Sequence, residues 1–359
     1  MTATETNTID EARLEAFVGR AVTDMGAAVS GLLMHIGDRL GLYKAMAGAG
    51  PVTPADLAAR TGTAERYVRE WLGNQAAGGY VVYDPADGTF ELPAEQAMVV
   101  ADENSPVFLA GAFEVIASCY ADHGRFADAF RTGAGIGWHE HDERLFSGVL
   151  RLFRPGYAAH LVSAWLPALD GVVDKLRSGA SVADVGCGLG ASSIIMAQAF
   201  DRSTFLGIDK HEASVTAARQ AAAEAGVAER VRFEVASAKG LPWAGYDLVC
   251  LFDCLHDMGD PVGAARRASE VVAERGSALI VEPMAGDTIE GNFDPVGIGR
   301  TFSAASTLCC TPNSLALGGP ALGAVASEEK LREVVLEGGF KEFRRATETP
   351  FNRVFEARK

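Results

Sequence analysis

The strongest constraint on this 359-residue chain is a short apolar run that ends in a glycine-rich turn, SVADVGCGLG at residues 181–190. The apolar run predicts a buried strand, and the residues that follow it predict a helix. Gly186, Gly188 and Gly190 lack a Cβ atom, so the backbone of this turn can approach a ligand closely. Because the next helix presents free N–H groups at its N-terminus, a ligand is expected against the turn, beside Asp184.

After this turn the chain alternates between strands and helices, which is typical of a parallel sheet with crossover helices. We predict strands at residues 181–186, 204–209, 231–236, 246–252, 277–282, 341–347 and 351–357. Helices are predicted near residues 190–200, 211–225, 261–274 and 327–338. A short turn at Thr349 and Pro350 joins the last two strands and makes one of them antiparallel. The predicted fold class is α/β, with a Rossmann-like, seven-stranded, mostly parallel sheet at the C-terminus.

The N-terminal third predicts a winged-helix domain. Thr53 and Pro54 begin one helix, a turn at residues 61–63 leads to a second helix at 64–77, and a hairpin follows at 79–92. DNA binding is disfavoured, because residues 1–100 carry seven Lys and Arg against thirteen Asp and Glu. Apolar residues recur at helical spacing in residues 11–47, so we expect a long helix there that pairs two subunits.

The charge and the cysteines narrow the class of protein. A formal net charge of −15 disfavours a nucleic-acid or anionic-membrane binder. The six cysteines contain no CxxC pair, which is typical of unpaired thiols in a reducing cytoplasm. Residues 1–6 contain no apolar signal-peptide core, so a cytoplasmic location is expected. The uncharged segment 301–327 contains proline and glycine, and we expect it to line an apolar pocket rather than to cross a membrane.

Residues 104–178 predict a helical region rich in aromatic side chains. Tyr157 precedes the last helix before the glycine turn, and we expect it near the ligand. His139 and His141 form a His-x-His pair, but two residues apart on a helix they would point to different faces. They are therefore expected to line a pocket or the surface, and we predict no metal site.

Two acidic residues indicate what the glycine turn binds. Asp184 lies two residues before the first glycine, and the second strand ends at Asp209, whose carboxylate can accept hydrogen bonds from both ribose hydroxyls. A dinucleotide-binding domain more often has the spacing Gly-x-Gly-x-x-Gly. Through these paired motifs, residues 181–359 resemble the class I S-adenosylmethionine-dependent methyltransferases. The resemblance implies S-adenosyl-L-methionine as the cofactor.

With its winged helix, the chain is similar to the winged-helix small-molecule methyltransferases. These comprise the plant-type O-methyltransferases and actinobacterial relatives, including 2-oxoacid C-methyltransferases. That family has a His-Asp-Trp-type motif after the fourth strand, where this chain has FDCLHDMGD at residues 252–260. The resemblance places the catalytic base at His256 and the acid that orients this base at Glu282. Either Asp257 or Glu282 could hold the imidazole in the useful tautomer. The tryptophan of the motif is replaced by Met258.

The resemblance also implies a set of cofactor-binding residues. Asp184 and the three glycines would approach the methionine moiety, and Asp209, followed by Lys210, would hold the ribose. Ser237, Ala238 and Phe252 would border the adenine, although many relatives have an acid at the position of Ser237. Asp253 and Tyr157 complete the predicted set.

The predicted function is S-adenosylmethionine-dependent O-methylation of a small apolar or aromatic metabolite in secondary metabolism. A neutral histidine suits removal of the acceptor's proton. One alternative is metal-assisted C-methylation of a 2-oxoacid, in which His256 would bind a cation. Another is a winged-helix regulator that senses S-adenosylmethionine without chemistry. We predict a homodimer with a winged-helix dimerisation domain at residues 1–103, a helical linker and substrate-pocket region at 104–178, and a methyltransferase domain at 179–359.

Overall fold

The computed structural model describes residues 9–242, 245–294 and 296–359. Residues 1–6, on which the expectation of no leader peptide rests, lie outside the described part. The chain divides into two compact units, Met1–Ala117 and Ser118–Lys359. The three-part division at residues 103 and 178 stays a prediction. Among the described residues, no helix is both long and apolar enough to cross a membrane.

The first unit is mainly helical and has the predicted helix-turn-helix and wing. Its elements are α1 (Glu11–Arg39), α2 (Leu42–Met46), α3 (Pro54–Thr61), α4 (Glu65–Ala77), β1 (Val82–Asp84), β2 (Thr89–Glu91), α5 (Ala94–Val100) and most of α6 (Ala110–Ala121). Thr53 caps α3 as expected, because its hydroxyl accepts the N–H of Asp56 at 3.1 Å while the Asp56 carboxylate accepts the N–H of Thr53 at 3.2 Å. The predicted helical region 11–47 is interrupted at Gly41, which has φ +70°.

Two surfaces of the first unit bear on the predicted partners. One face of α1 leaves large apolar side chains exposed, among them Leu14, Phe17, Val22 and Met25. On α4, which follows the turn, Arg66 pairs with Glu70 and Arg69 pairs with Glu65. The two arginines that could face a phosphate backbone are thus neutralised within their own helix, which disfavours DNA binding.

The second unit contains the large sheet and its covering helices. Its strands are β3 (Ser181–Val185), β4 (Thr204–Asp209), β5 (Val231–Val235), β6 (Tyr246–Phe252), β7 (Val272–Pro283), β8 (Glu342–Glu348) and β9 (Asn352–Arg358). Its helices are α7 (His123–Thr132), α8 (Arg144–His160), α9 (Val172–Ser178), α10 (Ala191–Ala199), α11 (Glu212–Glu224), α12 (Pro261–Val271), α13 (Ile298–Ala305), α14 (Thr311–Ala316) and α15 (Glu328–Glu337). π-helical turns occupy Leu161–Trp165 and Ser306–Cys310.

The seven strands lie in the order β5-β4-β3-β6-β7-β9-β8. The first five in this order are parallel, and β9 is antiparallel to both β7 and β8. The predicted α/β fold with one antiparallel strand is confirmed. Strand β3 pairs with β4 on one side and β6 on the other, so the strand order reverses there, and ligands of open α/β sheets bind at the carboxyl ends of strands at such a point.

Helices cover both faces of this sheet, and the side chains of the central strands alternate between the two layers. On β6, Leu248 and Cys250 pack into one buried cluster, while Val249 and Leu251 pack into the other. Burial on both faces explains why the strands are continuous apolar runs in the sequence. Strand β7 is longer than predicted. It was predicted at 277–282, but it begins at Val272, directly after the last residue of α12.

Candidate active site

The glycine turn is fixed to the neighbouring strand by backbone hydrogen bonds. The N–H groups of Gly186 and Cys187 both donate to the carbonyl of Ile208 on β4, at 2.8 and 3.1 Å. Gly188 has φ +51°, and a Cβ atom added to it would meet nothing within 4 Å, whereas a Cβ atom at Gly190 would lie 2.6 Å from the Phe233 ring. Gly188 therefore keeps space open beside the turn, and Gly190 permits close packing below it.

Asp209 lies at the end of β4, opposite this turn. Its two carboxylate oxygens accept hydrogen bonds from the N–H of Gly188 at 3.0 Å and the N–H of His211 at 2.8 Å. These bonds hold the carboxylate in one orientation at the wall of the cavity described below. The two carboxylate oxygens keep further lone pairs, which can accept hydrogen bonds from a vicinal diol such as that of a ribose.

Asp184 has a different environment from the one that the sequence suggested. It is buried, and one of its oxygens accepts the hydroxyls of Ser192 and Ser193, both at 2.6 Å, which ties the end of β3 to the first turn of α10. The other oxygen is buried without a hydrogen-bond partner within the described chain. Burial raises the pKa of this carboxyl to about 6, although the two serine hydrogen bonds act in the opposite direction.

A cavity of about 430 Å³ opens at the carboxyl ends of β3, β4 and β6. Its walls are largely apolar. The apolar side chains come from α8 and the segment before it, from the segment after β6 and from the residue after α14: Trp138, Phe146, Val149, Leu150, Phe153, Met258 and Leu317. Its charged residues are the carboxylates Asp209, Asp253, Asp257 and Asp260 and the cations Lys210 and Lys239. Acidic side chains thus outnumber basic ones around the cavity.

Asp253 follows β6 in a strained backbone conformation, with φ +49°. Its carboxylate accepts the hydroxyl of Tyr157 at 2.8 Å and the side-chain N–H of Asn352 at 3.1 Å. Burial raises the pKa of the Asp253 carboxyl to about 7, and the nearby charge of Glu282 adds to this. Tyr157 is buried, lines the cavity and reaches this carboxylate from α8.

His256 is enclosed on both sides. Its Nδ1 atom lies 2.5 Å from Glu282 Oε2, and its Nε2 atom lies 3.3 Å from the Sγ atom of Cys310. His256 is 3% exposed and Glu282 is 1% exposed. Burial by itself lowers the pKa of His256, but the Glu282 carboxylate outweighs it and the pKa is raised well above its usual value. The Glu282 carboxylate thus favours the protonated form of His256 in this buried contact.

The cavity brings together most of the residues that the sequence predicts for the site. Those that line it are Tyr157, Gly186, Gly188, Asp209, Lys210, Ser237, Ala238, Phe252, Asp253 and Asp257. Asp184, Gly190, His256 and Glu282 are not among its lining residues. Asp184 is buried against Ser192 and Ser193, and Gly190 lies close to Phe233. His256 and Glu282 form the buried pair beside Asp257.

Sequence reasoning missed two residues that organise this site. Asn313 lines the cavity, accepts the N–H of Trp138 at 3.0 Å and donates to the carbonyl of Asp257 at 3.0 Å. Cys310 contacts His256. Both lie in the uncharged segment 301–327, of which Asn313 and Leu317 line the cavity. The absence of charge was the signal for a pocket wall, but it did not single out these two side chains.

The predicted absence of a metal site concerns His139 and His141 most directly. Both line a smaller cavity that shares Phe146 and Leu189 with the large one. In the part of the chain that the structure describes, no group of three or more histidine, cysteine or acidic side chains is arranged to hold a metal ion.

Known protein families match both units of this chain. Residues 27–102 match the family described as Rv2258c-like winged HTH domain, and residues 176–311 match the family described as Methyltransferase domain. This chain joins a winged-helix domain to a methyltransferase domain. The predicted resemblance is therefore confirmed at the level of both domains.

Individual relatives extend this finding. The 27-O-demethylrifamycin SV methyltransferase of Amycolatopsis mediterranei is 39% identical over 103 residues, which are 28% of this chain and 38% of that protein. The chain thus matches well under half the length of this relative. An O-methyltransferase family protein from Burkholderia thailandensis has the same fold, with a TM-score of 0.68 at 17% identity over 98% of both chains. Human N-acetylserotonin methyltransferase, solved with S-adenosylmethionine, has a TM-score of 0.66 at 18% identity over 99% of both chains.

Proposed function

We propose that this chain transfers a methyl group from S-adenosylmethionine to a hydroxyl group of a small, apolar or aromatic metabolite. The observation that carries the proposal is the Asp209 carboxylate, which two backbone N–H groups hold at the cavity wall directly beside Gly188. This carboxylate fits the ribose hydroxyls, and the open space at Gly188 fits the adjoining part of the cofactor. The match to a methyltransferase domain supports the same assignment.

The bound cofactor supplies a methyl group on a sulfonium sulfur, which leaves as a neutral thioether. The protein's part is to hold the acceptor's oxygen in line with that carbon and to exclude water. The rings of Tyr157 and Phe252 pack against each other at the cavity wall, with their centres 5.4 Å apart and their planes tilted by 48°, and Asp253 lies beside them. We propose that these residues border the cofactor together with Lys210, Ser237 and Ala238.

Removal of the acceptor's proton is proposed to occur at the segment that contains His256 and Asp257. Glu282 holds the Nδ1 atom of His256, as the sequence hypothesis requires of an orienting acid. For His256 itself to act as the base, its Nε2 atom would have to give up its contact with the Cys310 thiol and form a hydrogen bond with the acceptor's hydroxyl group. The segment 306–310, which carries Cys310, would have to move for that exchange.

The charges around the cavity favour O-methylation of a neutral hydroxyl over C-methylation of a 2-oxoacid. An anionic 2-oxoacid would face Asp253 and Asp257. Of the two lysines at the cavity, Lys239 is already paired with Asp260 at 2.9 Å, and Lys210 lies 3.5 Å from the side-chain oxygen of Asn313. The apolar wall formed by Trp138 and Phe153 suits an aromatic or lipophilic acceptor. One relative is named as a methyltransferase of 27-O-demethylrifamycin SV, and we propose secondary metabolism as the setting and a cytoplasmic location for this chain.

Turnover with two acceptor panels tests this function. The protein is incubated with S-adenosylmethionine and either neutral phenols or phenylpyruvate, and S-adenosylhomocysteine is quantified. We expect product with at least one neutral phenol and none above background with phenylpyruvate. Product with phenylpyruvate alone would replace the proposal by C-methylation of a 2-oxoacid. No binding of S-adenosylmethionine would remove the methyltransferase assignment altogether.

A further inference from the structure

Asp257 differs from the other carboxylates at the cavity in having no hydrogen-bond partner. Asp209 accepts two backbone N–H groups, Asp253 accepts Tyr157 and Asn352, and Asp260 accepts the N–H of Gly263 at 2.8 Å. Within the described residues, nothing donates a hydrogen bond to the side chain of Asp257, which lines the cavity. A carboxylate in such a place is open to a donor on a ligand.

The backbone of Asp257 is held firmly although its carboxylate is free. Its N–H donates to the carbonyl of Cys254 at 3.3 Å, and its carbonyl accepts the side chain of Asn313 at 3.0 Å. Asn313 is itself fixed by the N–H of Trp138 at 3.0 Å. The side chain is thus presented to the cavity from a short helix, Leu255–Asp257, whose last residue is hydrogen-bonded through both its backbone N–H and its carbonyl.

His256 lacks the properties that a contact with the acceptor requires. Both of its ring nitrogens are occupied, by Glu282 and by Cys310, and it does not line the cavity. Of these two neighbouring residues, Asp257 therefore faces the cavity, and His256 faces the protein interior.

We propose that Asp257 is the general base of the methyl transfer and that His256 is a positioning residue behind it. The inference rests on the proposed function, since it concerns the same cavity and the same acceptor. One carboxylate oxygen of Asp257 takes the proton from the acceptor's hydroxyl group. At the same time, an electron pair of the acceptor's oxygen forms the new O–C bond to the methyl carbon. The electrons of the broken C–S bond stay on sulfur, and the proton later passes to solvent. The acceptor must then carry a hydrogen-bond donor, which selects hydroxyl compounds over carboxylates.

The electrostatics of the site agree with this assignment. Burial raises the pKa of the Asp257 carboxyl to about 6, and the positive charge of His256 restrains the increase. The titratable groups that face Asp257 are His256 and Cys254 from its own segment, Asp209 and Lys210 from the end of β4, Glu282 from β7, and Cys309 from the segment after α13. A base with a pKa just below the operating pH is ionised and still takes up a proton readily.

Two variants separate the roles of the two residues. Asp257→Asn keeps the shape and removes the base, and His256→Gln removes the buried cation. With phenol as acceptor, we expect Asp257→Asn to lower kcat about 10²–10⁴-fold. We expect 4-nitrophenol, used above its own pKa, to rescue Asp257→Asn to within about tenfold of the unmodified protein, because its proton is already gone. In His256→Gln, the pH at which kcat/KM is half-maximal should rise, because the cation that restrains the pKa of Asp257 is lost.

The contrary pattern would overturn the inference. If His256→Gln is the variant that ionised 4-nitrophenol rescues, and Asp257→Asn keeps its kcat with phenol, then His256 is the base. Phenol binding to the S-adenosylhomocysteine complex, measured by calorimetry, gives a result without turnover. A loss of about tenfold or more in Asp257→Asn and of less than twofold in His256→Gln supports the proposal, and equal affinity in all three proteins contradicts it. Failure of the unmodified protein to bind S-adenosylhomocysteine would instead count against the proposed function.

Discussion

Asp184 is the residue whose environment is least favourable to its charge. It lies at the end of the central strand β3 with 1% of its surface exposed, and one of its oxygens has no hydrogen-bond partner within the described chain. Its other oxygen joins β3 to α10 through two serine hydroxyls. The residue therefore fixes the geometry of the glycine turn while its ionisation is costly in the folded state.

This cost predicts how stability varies with pH. The folded-state pKa of Asp184 is raised from 3.8 to about 6, so between these values the folded protein binds more protons at this site than the unfolded protein does. Its contribution to the free energy of unfolding is accordingly present below about pH 4 and is lost as the pH rises to about 6. Relative to Asp184→Asn, the unmodified, cofactor-free protein should lose on the order of 2–3 kcal/mol across this window. Urea unfolding of both proteins at several pH values measures the difference, and a pH-independent difference would contradict the assignment.

At the scale of elements, the glycine turn provides a matched pair of substitutions. Gly190→Ala combines a positive φ with a Cβ atom 2.6 Å from Phe233, so we expect it to lower the free energy of unfolding by about 2–5 kcal/mol. Gly188→Ala meets no protein atom within 4 Å, so it should cost only about 1–2 kcal/mol in stability but weaken S-adenosylhomocysteine binding at least tenfold. Thermal unfolding and calorimetry distinguish the two effects. Unchanged affinity in Gly188→Ala would contradict the proposal that the cofactor lies against this glycine.

The exposed face of α1 predicts self-association of the first unit. Phe17 is 67% exposed and Met25 is 68% exposed, and they lie on one face of the helix at helical spacing. We expect the protein to be a dimer and the double variant Phe17→Glu, Met25→Glu to be a monomer in light scattering. The matched control is Ala16→Glu, Ala27→Glu, which adds the same charges to the opposite face of α1 and should remain a dimer. A monomeric unmodified protein, or dissociation of the control as well, would contradict this interpretation.

The sequence predicts the elements well because each depends on nearby residues. Strand β6 runs from Tyr246 to Phe252 as expected, since its apolar run begins after Gly245 and ends at Asp253. Strand β7 was predicted too short, because its first five residues include Glu274 and Arg275 and do not form an apolar run.

The hydrogen bonds of the site join residues that are far apart in the sequence, so they could not be predicted in the same way. Cys310 reaches His256 from 54 positions away, and Asn313 holds the carbonyl of Asp257 from 56 positions away. The motif predicts that His256 faces the acceptor, but the packing of segment 306–310 engages its second ring nitrogen with Cys310. A local motif specifies where a residue lies along the chain and leaves its partners open.

At the scale of the whole molecule, the order of the strands brings the chemistry together. Because β3 pairs with both β4 and β6, the carboxyl ends of these strands place Gly188, Asp209 and Asp257 around one cavity. The same reversal of strand order creates a ligand site in other open α/β sheets. What this chain adds is a set of acidic side chains around the cavity, Asp209, Asp253, Asp257 and Asp260.

The most direct test of the account is a calorimetric titration of the purified chain with S-adenosylhomocysteine. Asp209→Ala removes the carboxylate that two backbone N–H groups hold for the ribose, and Asp201→Ala, at an exposed acid after α10, is its control. We predict saturable binding to the unmodified protein and to Asp201→Ala, and a loss of affinity of about 150-fold or more in Asp209→Ala, because two charge-assisted hydrogen bonds to the ribose contribute about 1.5 kcal/mol or more each. No binding to the unmodified protein, or equal binding to Asp209→Ala, would contradict the account.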